Sequence, residues 1–300
     1  MPSSGPGRRI SHGGYEAETS AVGAGLRSLR HDGRDLVVPY DADEIRPFSR
    51  GAVLAPWPNR VGGGRWSWRG EDLQLAINEP DLGHALHGLV LWVEWRVTEH
   101  RDESLTLATT IWPQPGYPFL VELAMRWAVG PDGLTGELTA QNRGDEPAPY
   151  GCSIHPYLVA PTGRLDEWTL HVPAARELQV DDLMLPSTLG PLASSHDFRV
   201  ARPIGDAQID NAYTEVAFDA AGEAAVTLVD GHDDGVQLTF GTATPWVQVC
   251  TADFPGGQRA GLAVEPMTCP PDALRSGEDL VVLQPGAEHR AWWRISVAVT

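Results

Sequence analysis

Two titratable side chains, far apart in the chain, each stand directly before a proline at the end of a short apolar run. His155 lies in Tyr150-Gly151-Cys152-Ser153-Ile154-His155-Pro156-Tyr157, and Glu265 in Gly261-Leu262-Ala263-Val264-Glu265-Pro266-Met267-Thr268. A residue before proline is pushed out of the helical region into extended backbone, so each side chain is expected at the stiff end of a strand. Unperturbed carboxyl and imidazole groups have pKa values of about 4.3 and 6.5. Near neutral pH the first is ready to take a proton and the second is close to half-charged and able to give one, which makes them a natural base and acid pair.

Three further stretches carry groups suited to binding. In Ala55-Pro56-Trp57-Pro58-Asn59-Arg60-Val61-Gly62-Gly63-Gly64, two prolines stiffen the backbone ahead of an amide and a guanidinium, and the glycines allow close backbone approach. A held guanidinium fork is a good donor to ligand oxygens. In His84-Ala85-Leu86-His87-Gly88-Leu89 the spacing of the two histidines would suit a metal on a helix, but the surroundings are strand-like and no Cys, Asp or Glu completes a ligand set. No metal site is expected. In Asp206-Ala207-Gln208-Ile209-Asp210-Asn211-Ala212-Tyr213, the Asp-Asn pair reads either as a loop cap or as acceptors for ligand hydroxyls.

The elements that must position these groups are strands. Phe119, Val121, Leu123, Met125 and Trp127 alternate with polar neighbours, and Leu73, Leu75 and Ile77 do the same. Further strand candidates lie at 226–229, 236–240, 246–250 and 292–299. Asp132-Gly133 and Asp230-Gly231 are hairpin turns by type. Helical periodicity is nearly absent, with short helical turns expected only near Pro271–Leu274 and Asp181–Leu183. The chain is therefore expected to be all-β, a large antiparallel sandwich of two facing sheets. No linker or fixed-period repeat divides it. Residues 10–300 read as one domain, and residues 1–9 as a disordered tail.

Composition agrees with this and excludes several partners. The 32 glycines and 25 prolines in 300 residues exceed the usual combined share of about 12%, as many short strands and tight turns require. A formal net charge of -18 repels phosphate backbones and anionic lipid, so neither nucleic acid nor membrane is an expected partner. No stretch approaches the ~20 apolar residues of a membrane helix. The three cysteines, Cys152, Cys250 and Cys269, suit buried free thiols in a reducing compartment, and the expected location is cytoplasmic.

Taken in order, Pro58-Asn59-Arg60-Val61-Gly62, Leu86-His87-Gly88, His155-Pro156-Tyr157, Ile209-Asp210-Asn211 and Glu265-Pro266-Met267-Thr268 resemble the aldose 1-epimerase (mutarotase) family. The likeness runs from about Gly51 to the C-terminus. It implies a β-supersandwich and interconversion of the α and β anomers of a monosaccharide, with no cofactor. It also implies Glu265 as general base, His155 as general acid, and Arg60, His87 and Asp210 as binding and orienting residues, beside Asn59. Of the eleven tryptophans most are expected in the core, and Trp246 is placed with a minority facing the sugar. Pro156-Tyr157-Leu158-Val159 departs from the Tyr-Phe-Asn-Leu of the galactose-dedicated branch and is closer to the wider epimerase-related group. A monomer or homodimer is expected. Rival readings are a hexose-6-phosphate epimerase drawing on Arg50, Arg65 and Arg69, a glycosidase using Asp210 and Glu265, and a non-catalytic sugar-binding protein.

Overall fold

The computed structural model describes residues 2–298. It is 49% strand and 5% helix. A nine-stranded antiparallel sheet runs in the order Arg96–His100, Ser104–Ile111, Val121–Gly130, Gly133–Asn142, Glu288–Val297, Gly235–Gly241, Glu223–Val229, Thr169–His171, Arg202–Pro203. A six-stranded sheet runs Tyr157–Leu158, Leu262–Met267, Trp246–Cys250, Asp210–Val216, Ala174–Val180, Pro186–Pro191. The chain is all-β with large antiparallel sheets, as the alternating patterns require. Its α-helix, Ala273–Ser276, falls where a helical turn was expected. Asp181–Leu183 instead forms a turn in which Asp181 Oδ1 accepts from the Leu183 and Leu185 N–H groups. No helix among the described residues is long and apolar enough to cross a membrane.

Alternation decides which face of each strand meets the core. Val121, Leu123, Met125 and Trp127 are wholly buried, while Glu122 and Arg126 on the same strand look outward. The turn at Pro131-Asp132 closes that strand onto its neighbour by pairing Gly130 with Gly133. From the six-stranded sheet, Val247, Val249, Leu262 and Val264 join the same apolar cluster as these residues. The opposite face of that sheet carries Tyr157, Cys250 and Ala263, which pack separately. Register puts Gln248 opposite Glu265 and Cys250 opposite both Asp210 and Ala263. Both faces of this sheet are buried, one by the nine-stranded sheet and the other by loops. A polar set can sit on the second face without interrupting the first.

The disordered tail expected at residues 1–9 does not hold for residues 4–9, and Met1 lies outside the described residues. Gly7–His12 is a strand that pairs with Tyr15–Ser20 in a four-stranded sheet. Ladder hydrogen bonds and burial of Ile10 hold it. Even Ser4 is buried, its hydroxyl donating to the Ala42 carbonyl and accepting from Arg27. Trp127 ties the nine-stranded sheet to this N-terminal region, since its Nε1–H donates to the Ala24 carbonyl at 3.0 Å. Trp127→Ala should therefore cost about 3–5 kcal/mol of stability, read as a lowered urea midpoint with a similar slope.

Candidate functional site

A cavity of about 470 Å³ opens on the loop-covered face of the six-stranded sheet, and Asn59, Arg60, His87, His155, Asp210 and Glu265 all line it. Its floor follows from strand register. Glu265 projects from the Leu262–Met267 strand, Asp210 begins the strand next but one, and Gln248 between them donates from Nε2 to Asp210 Oδ1 at 2.7 Å. Tyr157 lies on the same face at the sheet edge. Glu265 stands inside its strand rather than at the end. Pro266 is tolerated there because the ladder to the edge strand covers only Leu262 and Ala263.

His155 comes from a different element. It lies between the short strands Ser153–Ile154 and Tyr157–Leu158, its N–H donating to the Ala52 carbonyl and its own carbonyl accepting from Gly51. Pro156 then carries the chain to the sheet, where its carbonyl accepts from the Val264 N–H. The imidazole stacks on Tyr157 at 5.3 Å and 13°, and meets the edge of His87 at 5.2 Å. Its Nε2 stands 3.2 Å from Glu265 Oε1. The residues are only 6% and 2% exposed. His155 Nδ1 and Glu265 Oε2 are buried with no hydrogen-bond partner among the described residues.

Burial sets the protonation of this pair. It pushes the His155 imidazole down to about 4, helped by the cations Arg50 and Arg46. It pushes the Glu265 carboxyl well above the carboxylate range, helped by Asp210 and opposed by Arg60. Both shifts have one physical origin, the loss of water around a charge. Together the two shifts favour a neutral ring beside a protonated carboxyl over an ion pair. Burial also raises Asp210, while Arg60 and the Gln248 amide pull it back.

His87 is held for donation. Its Nδ1 accepts from the Asn59 N–H at 3.2 Å, so the neutral ring carries its proton on Nε2. Burial, with His155 and Arg60 nearby, lowers its pKa well below the ordinary value and keeps the ring neutral. Asn59 and His87 both take left-handed backbone, with φ of 55° and 62°, an arrangement that costs energy and clusters at functional sites. They flank the two-residue ladder that pairs Arg60 with Leu86 and Val61 with Ala85. Gly88 allows this approach, because a Cβ there would lie 2.0 Å from the Ala55 carbonyl oxygen. Asn59 acts through its backbone N–H on His87 and through Oδ1 on the Arg60 N–H.

Other expected residues lie elsewhere. Trp246 does not line the cavity. It sits on the same sheet face as Glu265 but opposite Met267, packs with Leu178, Ala212 and Met267, and donates from Nε1 to Asp279 at 2.8 Å. His84 joins loops: Nδ1 accepts from the Gly63 N–H and Nε2 lies 2.9 Å from the Leu183 carbonyl. His87, His155 and Glu265 offer ligand atoms within 4.8 Å of one another and could hold a metal ion, a set that spacing along the chain did not reveal. Such an ion would compete with protons for these three side chains. The sequence reading also missed Glu79, which forks Arg60 through two 2.9 Å bonds at the cavity wall. Its signal was present, since Glu79 stands before Pro80 just as Glu265 stands before Pro266. Phe48 and Phe254, 4.9 Å apart between ring centres, form the half-open rim.

Comparison with known proteins bears on the family and the fold. The family model described as aldose 1-epimerase matches residues 8–296. YihR of Escherichia coli K12, described as uncharacterized, is 35% identical over 297 residues, covering 98% of this chain and 94% of its own. A GalM/aldose epimerase homologue from C. elegans superposes with a TM-score of 0.85 at 20% identity, covering 98% of this chain and 99% of that one. A galactose 1-epimerase from Lactobacillus acidophilus superposes with a TM-score of 0.78 at 20% identity, covering 96% and 92%. At those identities the two structures speak to fold alone, whereas the full-length family match and the YihR relationship reach further: the chain belongs to the aldose 1-epimerase family.

Proposed function

We propose that the protein is an aldose 1-epimerase that interconverts the α and β anomers of a hexose such as glucose or galactose. One observation carries this reading: an imidazole and a carboxyl 3.2 Å apart, both buried and both on the wall of one cavity. A pyranose is a hemiacetal. Opening it takes a proton from the C1 hydroxyl and gives one to the ring oxygen. The hydroxyl is too weak an acid to ionise freely, so both transfers need positioned partners. Glu265 is the base toward the hydroxyl and His155 the acid toward the ring oxygen. Moving the shared proton from Glu265 to His155 creates this working form without gain or loss of charge. Once the ring is open, the C1–C2 bond rotates and reclosure with the roles reversed gives the other anomer. Arg60, His87 and Asp210 hold hydroxyls while C1 turns.

The lining favours a sugar without a phosphate. Glu79 and Asp81 line the cavity with its one guanidinium, Arg60, which is already forked by Glu79. None of the arginines near it in sequence lines the cavity. Arg50 donates to the Pro39 carbonyl, Arg65 to Gln74 and Arg69 to Glu146. A dianion would enter this cavity against the field of its carboxylates.

Polarimetry on freshly dissolved α-glucose or α-galactose tests the reading. Glu265→Gln and His155→Asn should each lower kcat by about 10²–10⁴ with the fold retained. Full activity in either variant would remove that residue from the mechanism. Sugar binding without any acceleration of mutarotation by the wild type would instead support the binding-protein reading, and release of an aglycone from an aryl glycoside would support hydrolysis. The free hexose should be turned over more efficiently than its 6-phosphate, and the reverse preference would overturn the charge argument.

The pH dependence has a definite sign. As pH falls through the His155 value of about 4, a second proton joins the pair and no acceptor remains for the hydroxyl proton. As pH rises through the elevated Glu265 value, the last proton leaves and nothing can be given to the ring oxygen. A plot of kcat/KM against pH should be bell-shaped, with its acid limb near 4 and its alkaline limb above the ordinary carboxylate range, both belonging to the pair. A profile still rising below pH 4 would contradict it.

A further inference from the structure

Glu79 is placed with unusual care for a residue that reaches the reacting groups only through another side chain. Its two carboxylate oxygens take Arg60 Nε and Nη2, each at 2.9 Å. A bidentate pair of this kind fixes orientation as well as position. Both side chains are largely screened from solvent, at 18% and 13% exposure. The fork leaves Arg60 Nη1 without a protein acceptor among the described residues, on a residue that lines the cavity.

The backbone under the fork is closed from both sides. The Gly83 and His84 N–H groups donate to the Glu79 carbonyl, and the Glu79 N–H donates to the His84 carbonyl. Asn78 clamps Leu86 through both its Oδ1 and its Nδ2, and Leu86 pairs with Arg60. Carboxylate and guanidinium are thus set by one small unit and do not meet by chance across a surface. The fork also shapes the field at the floor. Arg60 favours the charged forms of Glu265 and Asp210, and Glu79 opposes it at Asp210.

We propose that Glu79 is a positioning residue for the ring-opening reaction: acting through Arg60, it holds the guanidinium in one orientation at the cavity wall and leaves Nη1 for a sugar oxygen. The role rests on the mutarotase reading above. With Glu79 replaced, Arg60 gains freedom to turn and Nη1 loses its fixed place.

The test compares wild type, Glu79→Gln and Glu79→Asp, with circular dichroism and thermal melts as fold controls. Wild-type mutarotation is measured first; its absence defeats the mutarotase reading itself. With wild type active, Glu79→Gln should raise KM or lower kcat so that kcat/KM falls by about 10- to 100-fold, the scale expected for a misplaced binding group. Glu79→Asp keeps a carboxylate acceptor on a shorter stem and should recover part of that loss. A bridge that merely supports the fold would lower the melting temperature and leave kcat/KM of the folded enzyme unchanged. Wild-type kinetics in a folded Glu79→Gln, or equal losses in Glu79→Gln and Glu79→Asp, would overturn the proposal while leaving the mutarotase reading standing.

Discussion

A carboxyl and an imidazole held 3.2 Å apart with almost no water around them form the constraint on which the rest of the site depends. Burial opposes charge on each, so neither can ionise independently. Together the shifts favour a neutral ring beside a protonated carboxyl over an ion pair. This is a general way to obtain acid and base chemistry at neutral pH without free ions, and it explains why the surrounding groups matter. Arg60 and Asp210 act on Glu265 with opposite sign, while Arg50 and Arg46 act on His155.

The fold meets this constraint by separating tasks between the faces of one sheet. Val247, Val249 and Val264 join the apolar cluster shared with the nine-stranded sheet, and their immediate neighbours Gln248 and Glu265 face the loops. A period of two makes this possible without any break in the strand. The base therefore stands on a rigid, doubly covered sheet, where small errors of placement are resisted by close packing. The acid and the donors come from short strands and turns over that face. Their conformations at Asn59, His87 and Gly88 are ones that only a fully packed surrounding sustains.

Much of this could be read from residue order alone. Alternation and turn chemistry point to an antiparallel all-β chain, because burial on one face requires period two. His155 and Glu265 could be singled out because titratable groups before proline are held extended. Arg60, His87, Asp210 and Asn59 came with the family likeness, and all of them line the same cavity. Trp246 was misplaced for a geometric reason. It shares the strand face of Gln248 but stands one pleat further on, opposite Met267 instead of Glu265, and the strand pattern alone does not say where along a face the cavity ends. The N-terminal residues looked like a tail because residues 2–9 include no large apolar side chain, yet a partner strand and a buried Ser4 hold them. Glu79 carried the same proline signature as Glu265 but stood outside any apolar run, so its pairing with Arg60 became visible only in three dimensions.

If one proton serves both partners, His155 and Glu265 work as a unit, and the effects of removing them should not multiply. The most direct measurement is the polarimetric rate of the double variant His155→Asn/Glu265→Gln beside the two single variants. The expected result is a double variant no slower than the slower single one, to within a few-fold. Losses that multiply in full would mean that the two groups act independently, and the shared proton would have to be abandoned.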